Sequence, residues 1–252
     1  LAECIHGFED GLCDICFPRR DPNEVRPAAA RRVPGARVRH AGGRPIGHIV
    51  EPTITLAEQR IFHVTHEQNL AAILADGALR AGAEPAVDVS SAATREIRGA
   101  IEVRDDMTVA DYVPFYLSPD ASRWDELRSG AEGIHWSDAA RATKPLDYVI
   151  LVSTAGELGP DVVVTDRDAA DLSTRFGIGT DGGAPLIRRL RSEDPEFFEP
   201  EVLAPSSVAF EAITLIGVPN DPVRDRVRRL LKDSGGHAPK VSVFPPWFQP
   251  SS

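Results

Sequence analysis

Phe62-His63-Val64-Thr65-His66-Glu67-Gln68-Asn69-Leu70 is the stretch whose reading decides the fold. Arg60 to Val64 has the make-up of a strand. From Gln68 to Asp76 the apolar residues Leu70, Ile73 and Leu74 share one helical face, and Gly77 ends it. A strand therefore runs straight into a helix. Such a junction exposes backbone N–H groups, a natural seat for phosphate. Thr65 and Gln68 stand at capping-box spacing, with Thr65 as the N-cap. Capping leaves His63, His66 and Asn69 without a local reason, which makes the junction a candidate ligand site.

Outward from it, strands are expected at Tyr112 to Leu117, Tyr148 to Ser153, Asp161 to Thr165, from Glu201 onward, Ala212 to Val218 and Lys240 to Phe244. Helices are expected at Ala92 to Val103 and at Asn220 to Lys232, the latter with Pro222 in its first turn and Gly235 past its end. Residues 177–200, which hold Gly-Ile-Gly-Thr-Asp-Gly-Gly, read as a long surface loop. Residues 245–252 read as a proline-rich tail. Strands outnumber helices and do not alternate with them, so the fold class is α+β. No glycine-rich turn follows the first strand, which argues against Rossmann and P-loop sites.

The 252 residues, 42% of them hydrophobic, suit one ordinary domain with appendages, and that domain is placed at residues 56–252. No apolar run is long enough to cross a membrane. Three cysteines, an odd number, argue against a disulfide framework and for a reducing cytoplasm. The net charge of −10 is uneven: eight arginines against Asp21 and Glu24 give Arg19 to His48 +6, leaving −16 on the rest. Residues 19–55, rich in Arg, Pro, Ala and Gly, read as a basic arm or linker. Within residues 1–18, Cys4 and His6 form C-x-H and Cys13 and Cys16 form C-x-x-C. Four such ligands with none to spare suit a closed structural zinc site, and zinc would supply the fold of so short a segment.

Four separated stretches carry polar residues that composition alone does not require: the junction, Arg95-Glu96-Ile97-Arg98, Asp111-Tyr112-Val113-Pro114-Phe115-Tyr116, and Pro200-Glu201-Val202-Leu203. A glutamate opening an apolar strand is unusual. An edge-strand charge would account for Glu201, and core packing on one strand face would account for Tyr112 and Tyr116. Taken together and in order, the four stretches resemble the DarT-type DNA ADP-ribosyltransferases, toxins of bacterial toxin–antitoxin systems. The resemblance covers about residues 60 to 245 and leaves the zinc-like segment and the arm outside.

The resemblance implies an ADP-ribosyltransferase-like split mixed β-sheet core with flanking helices, and NAD as co-substrate. His63, Thr65, His66 and Asn69 would lie against its ribose and phosphates, and Tyr112 and Tyr116 would flank the nicotinamide pocket. Glu201 would be the catalytic glutamate and Arg98 the catalytic arginine, with Arg95 as runner-up. It also implies DNA, single-stranded, as acceptor and a macrodomain-type antitoxin as partner. These residue types suit the chemistry. Breaking the nicotinamide–ribose bond builds positive charge on the sugar, which a fixed carboxylate stabilises. Arginine stays protonated and chelates phosphate in two places. This sequence departs from the family pattern in the acidic approach Ser192 to Glu199, and in Thr165-Asp166-Arg167-Asp168-Ala169, where the family has Thr-Asp-Gly-His/Asn-Ala. The alternatives are the same fold acting on RNA or protein, and a non-catalytic nucleic-acid-binding module.

Overall fold

The computed structural model describes residues 55–104, 106–193 and 196–250. The zinc-like set Cys4, His6, Cys13 and Cys16 and the basic arm lie outside the described residues. In chain order the strands are β1 (Arg60–His66), β2 (Ala78–Arg80), β3 (Glu102–Arg104), β4 (Met107–Thr108), β5 (Tyr112–Tyr116), β6 (Tyr148–Thr154), β7 (Val163–Thr165), β8 (Phe176–Ile178), β9 (Glu201–Pro205), β10 (Ser207–Ala209), β11 (Leu215–Val218) and β12 (Lys240–Val243). The helices are α1 (Leu70–Asp76), α2 (Ala92–Ala100), α3 (Ser122–Arg128), α4 (Asp138–Ala142), α5 (Gly179–Glu193) and α6 (Asp221–Ser234).

Eight strands form one sheet in the order β12-β11-β6-β1-β5-β9-β7-β8. Only β11 and β12 run parallel, joined by the crossover helix α6. The sheet is mixed and split, as the resemblance implied. β1 pairs with β6 along its whole length, from Arg60 opposite Thr154 to His66 opposite Tyr148. Against β5 it pairs only at Phe62 opposite Tyr116. Past that point the two strands part, and His63 Nδ1 reaches the Pro114 carbonyl oxygen at 2.8 Å.

Proline explains why the split is tolerated. A residue's N–H and C=O point to the same side of its strand. Since the Pro114 carbonyl faces β1, the donor that proline lacks would face the gap too, and no ladder bond is lost. The other side of β5 is paired with β9 from Tyr112 opposite Pro205 to Tyr116 opposite Glu201.

One sheet face buries Ile61, Val113, Phe115, Val149, Leu151, Val202 and Ala204 against α1, α5 and α6 residues such as Leu70, Ile187 and Val227. The opposite face packs Phe62, Tyr148, Ile150 and Val152 on Trp124, Trp136 and Phe248. Directly opposed residues share a face. Val152, Phe62, Tyr116 and Glu201 therefore form one row across four strands, and the row ends in a carboxylate.

Three expectations are corrected. The N-cap of the first helical turn is His66, whose Nδ1 accepts from the Gln68 N–H at 3.2 Å. Thr65 stays in the strand, so no Thr65–Gln68 capping box forms. Residues 177–200 are no long loop, because β8 and the 15-residue α5 occupy most of them. Their glycines serve close packing. A Cβ on Gly183 would stand 2.8 Å from Val164 Cγ2, and one on Gly177 would stand 2.7 Å from the Gly182 carbonyl oxygen. The proline-rich tail is likewise anchored. Phe248 is buried, and the Trp247 carbonyl accepts from Trp124 Nε1 at 2.6 Å and Arg128 Nη1 at 3.1 Å.

Candidate active site

The split opens into a cavity of about 630 Å³. All nine residues singled out in the junction and the three later stretches line it: His63, Thr65, His66, Asn69, Arg95, Arg98, Tyr112, Tyr116 and Glu201. Their environments differ sharply.

The β1–α1 wall is hydrogen-bonded within itself. The Asn69 amide donates to Thr65 Oγ1 at 3.2 Å and to the Val87 carbonyl at 3.0 Å, and accepts from the Val87 N–H at 2.9 Å. Both donors and the carbonyl are thereby engaged, and Asn69 fastens the segment after β2 to the junction. A carbonyl can only accept, so His63 carries its proton on Nδ1 and presents Nε2 as an acceptor. His66 is the opposite case: Nδ1 accepts, and Nε2 carries the N–H when the ring is neutral. Burial pushes both imidazoles below their usual pKa, which favours the neutral rings. Thr65 accepts from Asn69 and keeps its own hydroxyl proton to donate.

The facing wall holds Glu201. It is 3% exposed although it opens a strand. Thr165 fixes its backbone: Oγ1 accepts from the Glu201 N–H at 2.8 Å and donates to the Arg167 carbonyl at 2.5 Å. Glu201 Oε1 accepts from the Ala169 N–H at 3.3 Å. Oε2 is buried with no hydrogen-bond partner, and the nearest cation is Arg98 Nη1 at 3.7 Å. Buried polar atoms are nearly always paired, so an orphaned carboxylate oxygen on a cavity-lining residue marks a place for a ligand. Burial pushes the Glu201 carboxyl up to about 7; Arg98 opposes this and the neighbouring Asp168 adds to it. The Tyr116 phenol, opposite Glu201 in the ladder, is pushed far upward by its own burial and by Glu201 and Asp168, and stays a neutral hydroxyl.

The two arginines separate. Arg98, from the last turn of α2, stands beside Glu201 with 17% of its side chain exposed. Arg95 is half-exposed and bound to the Asp88 carboxylate and, at 2.7 Å, to the Ser90 carbonyl. Tyr112 is almost wholly buried against Leu203 and Val163, with Arg104 over its ring at 5.9 Å.

Two charged residues beside Glu201 escaped the sequence reading. Asp168 lies in the loop between β7 and β8, and Arg123 lies in α3 and binds it through Nε. For Asp168 the signal was the carboxylate standing where the family pattern has His or Asn. Arg123 had none, because only the folded chain brings α3 over the loop.

The sequence profile of the family described as "ssDNA thymidine ADP-ribosyltransferase, DarT" matches residues 62–249. The chain belongs to the DarT family. Three solved DarT structures carry the same fold. Thermus sp. 2.9 DarT in complex with ADP-ribosylated ssDNA superposes with a TM-score of 0.64 at 23% identity, over 75% of this chain and 95% of that one. Thermus sp. 2.9 DarT in complex with NAD+ gives 0.61 at 25% identity, over 75% and 96%. Thermosipho africanus DarTG in complex with ADP-ribose gives 0.57 at 18% identity, over 75% and 51%. No curated protein sequence matches the chain. Among the described residues no helix is long and apolar enough to cross a membrane, and no cluster of three or more His, Cys, Asp or Glu could hold a metal.

Proposed function

We propose that the cavity binds NAD and transfers its ADP-ribosyl group to a thymidine of single-stranded DNA, with Glu201 and Arg98 as the catalytic pair. The observation that carries this is Glu201 Oε2, a buried carboxylate oxygen with no hydrogen-bond partner, beside an arginine and on a residue that lines the cavity. The group the site must hold fits the donor set. Arg98 suits a pyrophosphate or the charge of the transition state, and the Thr65 hydroxyl and the two free imidazole nitrogens offer two donors and one acceptor for ribose hydroxyls and phosphate. Asn69 acts on that set through Thr65 and Val87. Tyr116 presents its ring and a neutral hydroxyl next to Glu201, and Tyr112 backs that wall.

The reaction breaks a ribose–nicotinamide bond, joins the ribose carbon to a ring nitrogen of the acceptor base, and releases the base's proton. An ionised Glu201 stabilises the positive charge that builds on the sugar. The same carboxylate accepts the base proton. A pKa near 7 suits this use, since a general base works best when poised near the operating pH. Nicotinamide leaves neutral, which removes the need for a strong acid on that side.

The Thermus sp. 2.9 complexes with NAD+ and with ADP-ribosylated ssDNA support the choice of co-substrate and acceptor. We extend the reading to a cytoplasmic toxin restrained by a macrodomain-type antitoxin, with structural zinc on Cys4, His6, Cys13 and Cys16. Metal analysis of the purified protein tests the last point: one equivalent of zinc is expected, and none refutes it. Incubation with labelled NAD and a panel of DNA, RNA and protein acceptors tests the reaction. Label on thymidine-containing single strands is expected. Label on RNA or protein alone moves the acceptor class, and no NAD turnover leaves a binding module.

A further inference from the structure

Asp168 is a second carboxylate in the same cavity, only 8% exposed, and the reaction as derived leaves it idle. It is tied at every end. Arg123 Nε holds Oδ2, the Ala170 N–H donates to Oδ1 at 2.7 Å, and its carbonyl accepts from the Asp171 N–H at 3.0 Å and Thr174 Oγ1 at 2.6 Å. The next residue, Ala169, carries the N–H that holds Glu201 Oε1. The Arg123 guanidinium is fixed in turn by Glu126 Oε2 at 2.9 Å, which also accepts from Trp136 Nε1 at 3.2 Å. This brace runs from the wall of the cavity to the loop under Glu201.

The charged or ionisable groups around Glu201 come from four elements: Arg98 on α2, Tyr116 on β5, Arg123 on α3 and Asp168 in the β7–β8 loop. A negative charge near a buried carboxylate makes that carboxylate harder to ionise. Asp168 has Arg123 in direct contact. Glu201 has Arg98 only at 3.7 Å and an oxygen with no hydrogen bond.

We propose that Asp168, braced by Arg123, is a positioning residue for Glu201: it aims the Ala169 N–H at Oε1 and places a negative charge near a buried carboxylate whose Oε2 has no hydrogen bond. The proposal rests on Glu201 being the catalytic carboxylate. Burial is the larger cause of the raised Glu201 carboxyl and Asp168 adds to it, so activity that needs ionised Glu201 falls on an acidic limb that Asp168 moves upward. Removing the Asp168 charge eases ionisation of Glu201 and moves that limb to lower pH. Arg123 favours ionised Glu201, less strongly than Asp168 opposes it.

The test is the pH profile of kcat/KM for wild type, Asp168→Asn, Asp168→Glu and the double variant Asp168→Asn/Arg123→Gln, which leaves neither partner buried and unpaired. Asp168→Asn is expected to move the acidic limb down by at least half a pH unit. Asp168→Glu returns it toward wild type, and the double variant moves it down by less. Activity lost equally at every pH, with the limb unmoved, would overturn the proposal. Titration of the Glu201 carboxyl by carbon-13 NMR, assigned from its absence in Glu201→Gln, reads the same shift without activity. A titration that moves in Asp168→Asn while Glu201→Gln keeps full activity supports the coupling and removes the catalytic role. A titration that stays put while Glu201→Gln is inactive removes the coupling and keeps the role.

Discussion

The two walls of the cavity are built on opposite principles. On the β1–α1 wall the polar groups are largely spent: Asn69 uses both amide protons and its oxygen, and His63 and His66 each commit Nδ1 to the backbone. On the β9 wall a buried carboxylate keeps one oxygen without a hydrogen bond and its arginine at arm's length. Satisfied polar groups hold a shape, and a buried unsatisfied one stores free energy that a reaction can use. The first wall is the frame that presents the nucleotide, and the second carries the bond-breaking chemistry.

Substitutions should divide the same way. Glu201→Gln should lower the transfer rate by about 10³-fold or more, the scale of losing a preorganised electrostatic group, measured with labelled NAD and a single-stranded acceptor. Arg98→Gln should cost about 10²-fold in the same assay. Glu201→Gln should also stabilise the protein at alkaline pH. The folded-state pKa near 7 exceeds the ordinary 4.5, so ionisation costs stability as pH rises from about 4.5 to about 7. A shift of that size corresponds to about 3 kcal/mol, so denaturant melts should favour the variant at pH 8 and converge with wild type near pH 4. Asn69→Ala should do the reverse, destabilising by about 2 kcal/mol in the same melts by leaving the Val87 N–H and C=O unpaired. Arg95→Ala, at a half-exposed ion pair, should change stability by under about 1 kcal/mol and activity by less than Arg98→Gln does.

The walls also differ in how far the sequence disclosed them. The junction is local, and strand, helix and polar surplus are all contained in Phe62 to Leu70. Even there the pattern points to Thr65 as the cap, whereas β1 continues through His66 and turns one residue later. The β9 wall is non-local. That Glu201 ends a row through Tyr116 and Phe62, and that α3 lays Arg123 on Asp168, follow from sheet register and packing, which no short stretch encodes. Helix α5 was hidden for a related reason. Gly177, Gly182 and Gly183 read as loop formers, yet they are glycine because helix and sheet come within side-chain distance there.

The most direct test is intact-mass analysis of a single-stranded oligonucleotide after incubation with NAD, with wild type and folded Glu201→Gln run side by side. An ADP-ribosyl adduct is expected with wild type, on strands that contain thymidine, and none with the variant. An equal adduct from Glu201→Gln would contradict the role given to the unsatisfied carboxylate.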